Sequence, residues 1–186
     1  MKLEPSPRAV FLVGFMGAGK SRVGRALAGR LGWRFLDLDR RVEARAARSI
    51  AQIFRDSGEA AFRRAETAEL KSLLRELPRS PGRVVALGGG VPAQAANRRL
   101  LRGWLTVFLD VPVATLWQRC RAGRGTRPLV KDAAGFRRLY AARRPRYLAA
   151  AMRVREAGRS PQQLAAEIAR RMGSGSRQGS RPQETS

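Results

Sequence analysis

Histidine is missing from this chain of 186 residues, and cysteine occurs once, as Cys120. One thiol cannot close an internal disulfide, and a zinc site of the usual His/Cys kind is excluded. The near-absence of cysteine points to a reducing, cytoplasmic setting. Aromatic residues make up 6% of the chain, too few for a run of stacking platforms. Apolar runs are short: Ala9–Gly14 and Val84–Leu87 fall far below the ~20 residues that cross a bilayer, so no membrane association is expected. The opening stretch MKLEPSPRAV has neither the long apolar core nor the small-residue cleavage site of a signal peptide.

Acidic residues are also scarce, 14 against 38 basic ones, for a formal net charge of +24. Only Lys2, Lys20, Lys71 and Lys131 are lysines, so the excess is almost entirely arginine. The arginines are scattered through nearly every segment. That pattern fits a general Arg-and-Ala bias with solvated helix faces, a site for small anions, or a nucleic-acid footprint. Charge by itself does not choose among them.

A length of 186 residues suits one well-cored domain. Short apolar runs at Ala9–Val13, Arg34–Asp37, Val84–Leu87, Thr106–Leu109 and Met152–Arg155 read as strands. Between them lie helical patterns at Ser21–Leu31, Arg40–Ala46, Ser49–Ser57, Ala60–Leu77, Ala93–Leu101, Val113–Arg121, Phe136–Ala151 and Pro161–Met172. Alternation of this kind predicts a three-layer α/β/α fold around a central, mostly parallel five-stranded sheet. The strands are continuously apolar, as expected when both faces are covered. Ala122–Ala134 has no periodicity and is expected to be a mobile lid. Gly173–Ser186 has no side chain able to build a core and is expected to be disordered, leaving residues 1–172 as the domain.

The strongest signal is Gly14-Phe15-Met16-Gly17-Ala18-Gly19-Lys20-Ser21, a full G-x-x-x-x-G-K-[ST] between a strand and a helix. Its glycines permit backbone angles that turn N–H groups inward around phosphate oxygens, and the helix start adds its dipole. Gly17, Ala18, Gly19, Lys20, Ser21 and Arg22 form the expected nucleotide-phosphate site, with Lys20 on the β/γ-phosphates and the Ser21 hydroxyl on Mg²⁺. A GTP-driven switch is not indicated. The single asparagine, Asn97, is followed by arginine rather than by the Lys-x-Asp that reads guanine, and VVALGGG stands where a D-x-x-G would.

The acceptor side must come from elsewhere. Phe35-Leu36-Asp37-Leu38-Asp39 ends the second strand. In an extended chain residues two apart point the same way, which would put both carboxylates at the sheet's carboxyl end. The alternative is that Asp39 caps the following helix. In GEAAFRRAE, Arg63 and Glu66 share one helix face at i, i+3, either a solvated pair or an arginine preset to grip an anion. Gly88-Gly89-Gly90 closes the third strand, either as a tight turn or as a place where backbone approaches a ligand.

Taken together, GFMGAGKS, FLDLD, SIAQIFRDSGEAAFRRAE, ALGGG, TRPL and RRPRY, in this order, make the chain resemble the shikimate kinases from about Ala9 to Met172. They are a small P-loop group of the nucleoside-monophosphate-kinase type. The resemblance implies transfer of the ATP γ-phosphoryl group to the 3-hydroxyl of shikimate, with ATP and shikimate as partners and Mg²⁺ as cofactor. It places Asp37 near Mg²⁺, Asp39 on the acceptor hydroxyl, Arg63 and Arg143 on the shikimate carboxylate, and Gly88, Gly89 and Gly90 along the acceptor pocket. It assigns Arg127 to the closing lid and Arg159 to the neighbourhood of adenine. A monomer that binds no nucleic acid is the accompanying expectation. A gluconate kinase-like enzyme would share the phosphate loop without requiring Asp39, Arg63 and Arg143, and a nucleic-acid-binding P-loop protein would be supported only by the charge.

Overall fold

The computed structural model describes residues 8–79, 82–122 and 132–175. Five strands, β1 (Ala9–Val13), β2 (Arg34–Asp37), β3 (Arg83–Ala86), β4 (Leu105–Asp110) and β5 (Met152–Arg155), form one sheet in the order β2-β3-β1-β4-β5. Every pairing is parallel. All five residues of β1 are buried, because this central strand is covered on both faces and can carry only apolar side chains. Helix α1 (Lys20–Leu31) packs beside the sheet and against α7 (Pro161–Gly175).

The register decides where chemistry can occur. Leu12 of β1 and Asp37 of β2 both lie beside Ala86 of β3. The segments leaving these three strands therefore emerge together at the carboxyl edge, where open α/β sheets bind ligands. Helices α2 (Leu38–Ala46) and α3 (Ile50–Glu76) stand over that edge. They carry a small core of their own, Val42, Ile53 and Phe62, separate from the main one. Arg41 joins them, bonding both Glu69 (2.5 Å) and Glu76 (2.8 and 2.9 Å).

Several boundaries differ from the sequence expectation. The two helices expected on either side of Gly58 form one element, α3, with Gly58 alone at non-helical φ 77°, ψ 172°. Glycine adopts this left-handed angle without a Cβ penalty, so the chain kinks and resumes its helix instead of ending it. The helix expected at Ala93–Leu101 is split into a 3-10 turn, Val91–Ala93, and α4 (Ala95–Leu100), with Gln94 extended between them. Helix α5 (Val113–Ala122) takes the first residue of the expected lid. Helix α6 (Ala133–Leu148) takes its last two, started by the Asp132 carboxylate, which accepts from the Gly135 N–H at 2.7 Å. Arg127 lies outside the described residues, as does most of the Gly173–Ser186 segment; α7 runs three residues into it.

Candidate active site

The phosphate loop leaves β1 with Gly17 at φ 81° and Gly19 at φ 82°. These left-handed angles turn the loop back on itself so that α1 begins at Lys20. Gly17 is also short of space. A Cβ there would stand 3.1 Å from the Leu116 carbonyl and 3.0 Å from Cys120 Sγ, so α5 packs directly on the loop. The Lys20 ammonium folds back over the loop and donates to the carbonyls of Gly14 (2.9 Å) and Phe15 (3.1 Å). Ser21 Oγ donates to Asp37 Oδ2 at 2.8 Å, linking the start of α1 to the end of β2.

The two aspartates play different parts from those the extended-chain argument gave them. Asp37, not Asp39, is the helix cap: its Oδ1 accepts from the Asp39 N–H at 3.2 Å, and α2 starts at Leu38. Asp39 therefore sits in the first turn of a helix, and strand alternation does not orient it. Both carboxylates line the same cleft, but Asp37 faces Ser21 whereas Asp39 is turned toward Gly88 and Glu66.

The glycine triplet makes room for these side chains. A Cβ on Gly88 would stand 2.6 Å from Asp39 Oδ1 and 2.7 Å from Glu66 Oε1, and one on Gly90 would run into the Arg63 guanidinium. None of the three has a positive φ, so close approach, not turn geometry, is what requires glycine here. The Gly89 carbonyl accepts from the hydroxyl of the buried Tyr147 at 2.5 Å. That bond fixes the triplet against α6, and burial raises the Tyr147 pKa.

Arg63 is held on both sides. It donates to Glu66 Oε2 (3.0 Å) and to Glu59 Oε1 (3.0 and 3.2 Å), and its guanidinium lies over the Phe62 ring. The pair expected as either solvated or preset is thus the preset one. Burial would lower the Arg63 pKa, but Glu66 and Glu59 raise it on balance. Glu66 is fully buried, and its Oε2 also accepts from Gln94 Nε2 at 3.0 Å. Its other oxygen and Asp39 Oδ1 share the space beside Gly88, and neither has a hydrogen-bond partner among the described residues. Burial pushes the Glu66 carboxyl up to about 7, against the opposing pull of Arg63. Burial and then Asp37 raise Asp39 as well, opposed by Lys20 and Arg63.

Arg143 and Arg144 are separated by their surroundings. Arg143 is buried on α6, lies near the Phe15 ring and lines the cleft; Arg144 faces Asp110 at 3.5 Å instead. The cleft has a volume of about 1080 Å³. The phosphate loop and Arg22 form one part of its wall, and Asp39, Arg63, Glu66, Arg143 and the glycine triplet form another. Arg119, Glu156 and Arg159 also line it. Arg159 is ion-paired with Glu167 of α7. Sequence reasoning gave no role to Tyr147, Gln94 or Glu156. Tyr147 ends RRPRY and had a signal in that motif; Gln94 and Glu156 reach the site through a turn and a loop, which leave no periodic trace.

Chemically, the cleft opposes a phosphate cradle with a compartment of two arginines and two partly protonatable carboxylates. It suits a small polyhydroxy anion brought up to a nucleotide. A family model for shikimate kinase matches residues 16–173. The shikimate kinase of Persephonella marina is 38% identical over 163 residues, covering 87% of this chain and 96% of its own. A shikimate kinase from Acinetobacter baumannii, solved in complex with shikimate, superposes with a TM-score of 0.85 at 34% identity, covering 95% of this chain and 98% of that one. A gluconokinase from Sinorhizobium meliloti reaches a TM-score of 0.56 at 18% identity, a likeness of fold alone.

Proposed function

The chain belongs to the shikimate kinase family, and from there we propose that it moves the γ-phosphoryl group of ATP onto the 3-hydroxyl of shikimate, giving shikimate 3-phosphate and ADP. The observation that carries this reading is the acceptor compartment: Asp39 and a braced Arg63 stand around Gly88–Gly90, with Arg143 on the same cleft wall. An arginine with its fork already oriented loses little freedom on gripping a carboxylate. An aspartate that lines the cleft can accept from the acceptor hydroxyl and orient it for attack.

At the donor end Gly17, Ala18, Gly19, Lys20, Ser21 and Arg22 would hold the nucleotide phosphates. Phosphoryl transfer needs alignment and positive charge more than a covalent catalyst. Lys20 already sits over the loop through two carbonyls, so it meets the phosphates without searching. The Ser21 hydroxyl and Asp37 carboxylate are hard oxygen donors of the kind Mg²⁺ takes beside phosphate, and these two would hold the ion. Mg²⁺ supplies charge neutralisation on the phosphate oxygens. Arg127 would add charge from the lid and Arg159 would lie beside adenine. A monomer in a reducing cytoplasm belongs to the same proposal. Leu148 is the single exposed large hydrophobic among the described residues, which offers little apolar surface for a partner.

The direct test of the acceptor assignment is Asp39→Asn. Phosphoryl transfer to shikimate should fall to background while ADP binding, measured by calorimetry, is retained. Retained transfer would remove Asp39 from its role.

A further inference from the structure

We propose that Glu156 is a positioning residue for the nucleotide, bracing the Arg119 guanidinium in the wall of the cleft. The inference rests on reading this cleft as an ATP site. Glu156 follows β5 and is buried, although it belongs to a loop. Its carboxylate Oε1 accepts from Arg119 Nη2 at 2.6 Å, joining the loop to α5. Both residues line the cleft, and α5 is the helix packed on Gly17 of the phosphate loop. Arg119 is thus rooted next to the phosphate loop and held by the loop that follows β5.

The brace is itself fixed. The Glu156 N–H donates to the Asp110 carbonyl at 3.0 Å, extending the β4–β5 ladder by one residue. Its own carbonyl accepts from the Arg159 N–H at 2.8 Å. That bond exists because the chain reverses through two successive left-handed residues, Ala157 at φ 43° and Gly158 at φ 75°. A non-glycine residue holds such an angle only where its surroundings impose it. The Glu156 backbone is therefore clamped on both sides, and its carboxylate is aimed by a structured turn.

Without that carboxylate the Arg119 side chain, 42% exposed, would regain its rotamers, and nucleotide binding would have to freeze them again. The neighbouring Arg159 is already neutralised by Glu167. Glu156 does the same for Arg119, so that the nucleotide meets two oriented arginines and not two loose cations. Shikimate binds at the other wall and should not sense the change.

The test is ADP binding by calorimetry without acceptor, together with KM for ATP and for shikimate, on the wild type, Glu156→Ala, Glu156→Gln, Arg119→Ala and the Glu156→Ala/Arg119→Ala double variant. Glu156→Ala should weaken ADP binding and raise KM for ATP about fivefold, the change that ~1 kcal/mol produces. Glu156→Gln, which keeps an acceptor for Arg119, should recover part of the loss. The double variant should be no worse than Arg119→Ala, since the carboxylate acts through that side chain. KM for shikimate should stay within error. Unchanged ADP binding in Glu156→Ala, or losses that simply add in the double variant, would overturn the proposal, as would equal increases in both KM values, the sign of a merely structural role. A wild-type protein that binds ADP but leaves shikimate untouched would instead sink the functional reading and leave the brace standing.

Discussion

Glu66→Gln should make the protein's stability less sensitive to pH, and in a predictable direction. Glu66 is fully buried, with one oxygen bonded to Arg63 and Gln94 and the other facing Asp39 beside Gly88. Its carboxyl titrates at about 7 in the folded protein against an ordinary value of 4.5. The folded state therefore binds a proton more tightly than the unfolded one. The associated stability is fully present below pH 4.5 and is lost as pH rises through about 7. At ~1.36 kcal/mol per pKa unit, the gap amounts to about 3 kcal/mol. Glutamine reproduces the protonated acid: its amide oxygen can accept from Arg63 and Gln94, and its NH₂ can donate to Asp39. Urea unfolding followed by tryptophan fluorescence from pH 5 to 8, without ligands, reads the difference. Near pH 5 the variant should match the wild type within about 1 kcal/mol, and it should gain on it steadily toward pH 8 by about 2–3 kcal/mol. Asp39, also raised, leaves a residual slope in both proteins. A variant less stable than the wild type by the same amount at every pH would refute the reasoning, because Glu66 would then be ionised throughout.

Arg63→Ala should raise KM for shikimate about ten- to hundredfold, the ~1.5–3 kcal/mol of a charged hydrogen bond. KM for ATP should be unchanged, and a change confined to ATP would mean that the carboxylate assignment is wrong. Gly88→Ala forces a methyl group against Asp39 Oδ1 and Glu66 Oε1. It should destabilise the fold by about 1–3 kcal/mol and depress turnover, so a normal melt with normal activity would contradict the packing described for the triplet.

Much of the architecture was legible because β1, β3 and β4 are built on short apolar runs bounded by polar or glycine-rich turns, and β1, β2 and β5 coincide with the stretches read from sequence. The errors fell where tertiary context outranks local pattern. Gly58 looked like a helix boundary and is a kink within α3, since the second small core holds both halves in place. Asp37 and Asp39 looked like alternating strand residues, but the helix begins between them, so one caps and the other faces the cleft. Glycine at 88–90 was readable as special without revealing why, because the crowding comes from Asp39, Glu66 and Arg63, far away in sequence. Arg143 and Arg144 are adjacent and identical in type, and their separation is equally invisible in the sequence, because it comes from Asp110, which holds Arg144 aside.

The central claim is that the residues opposite the phosphate loop select shikimate as acceptor. ADP release from ATP and Mg²⁺, measured with shikimate, with gluconate and with no acceptor, tests it most directly. Turnover should depend on shikimate and be near background in the other two reactions, with the phosphate found on the 3-hydroxyl. Turnover that is independent of shikimate, or a preference for gluconate, would contradict the account.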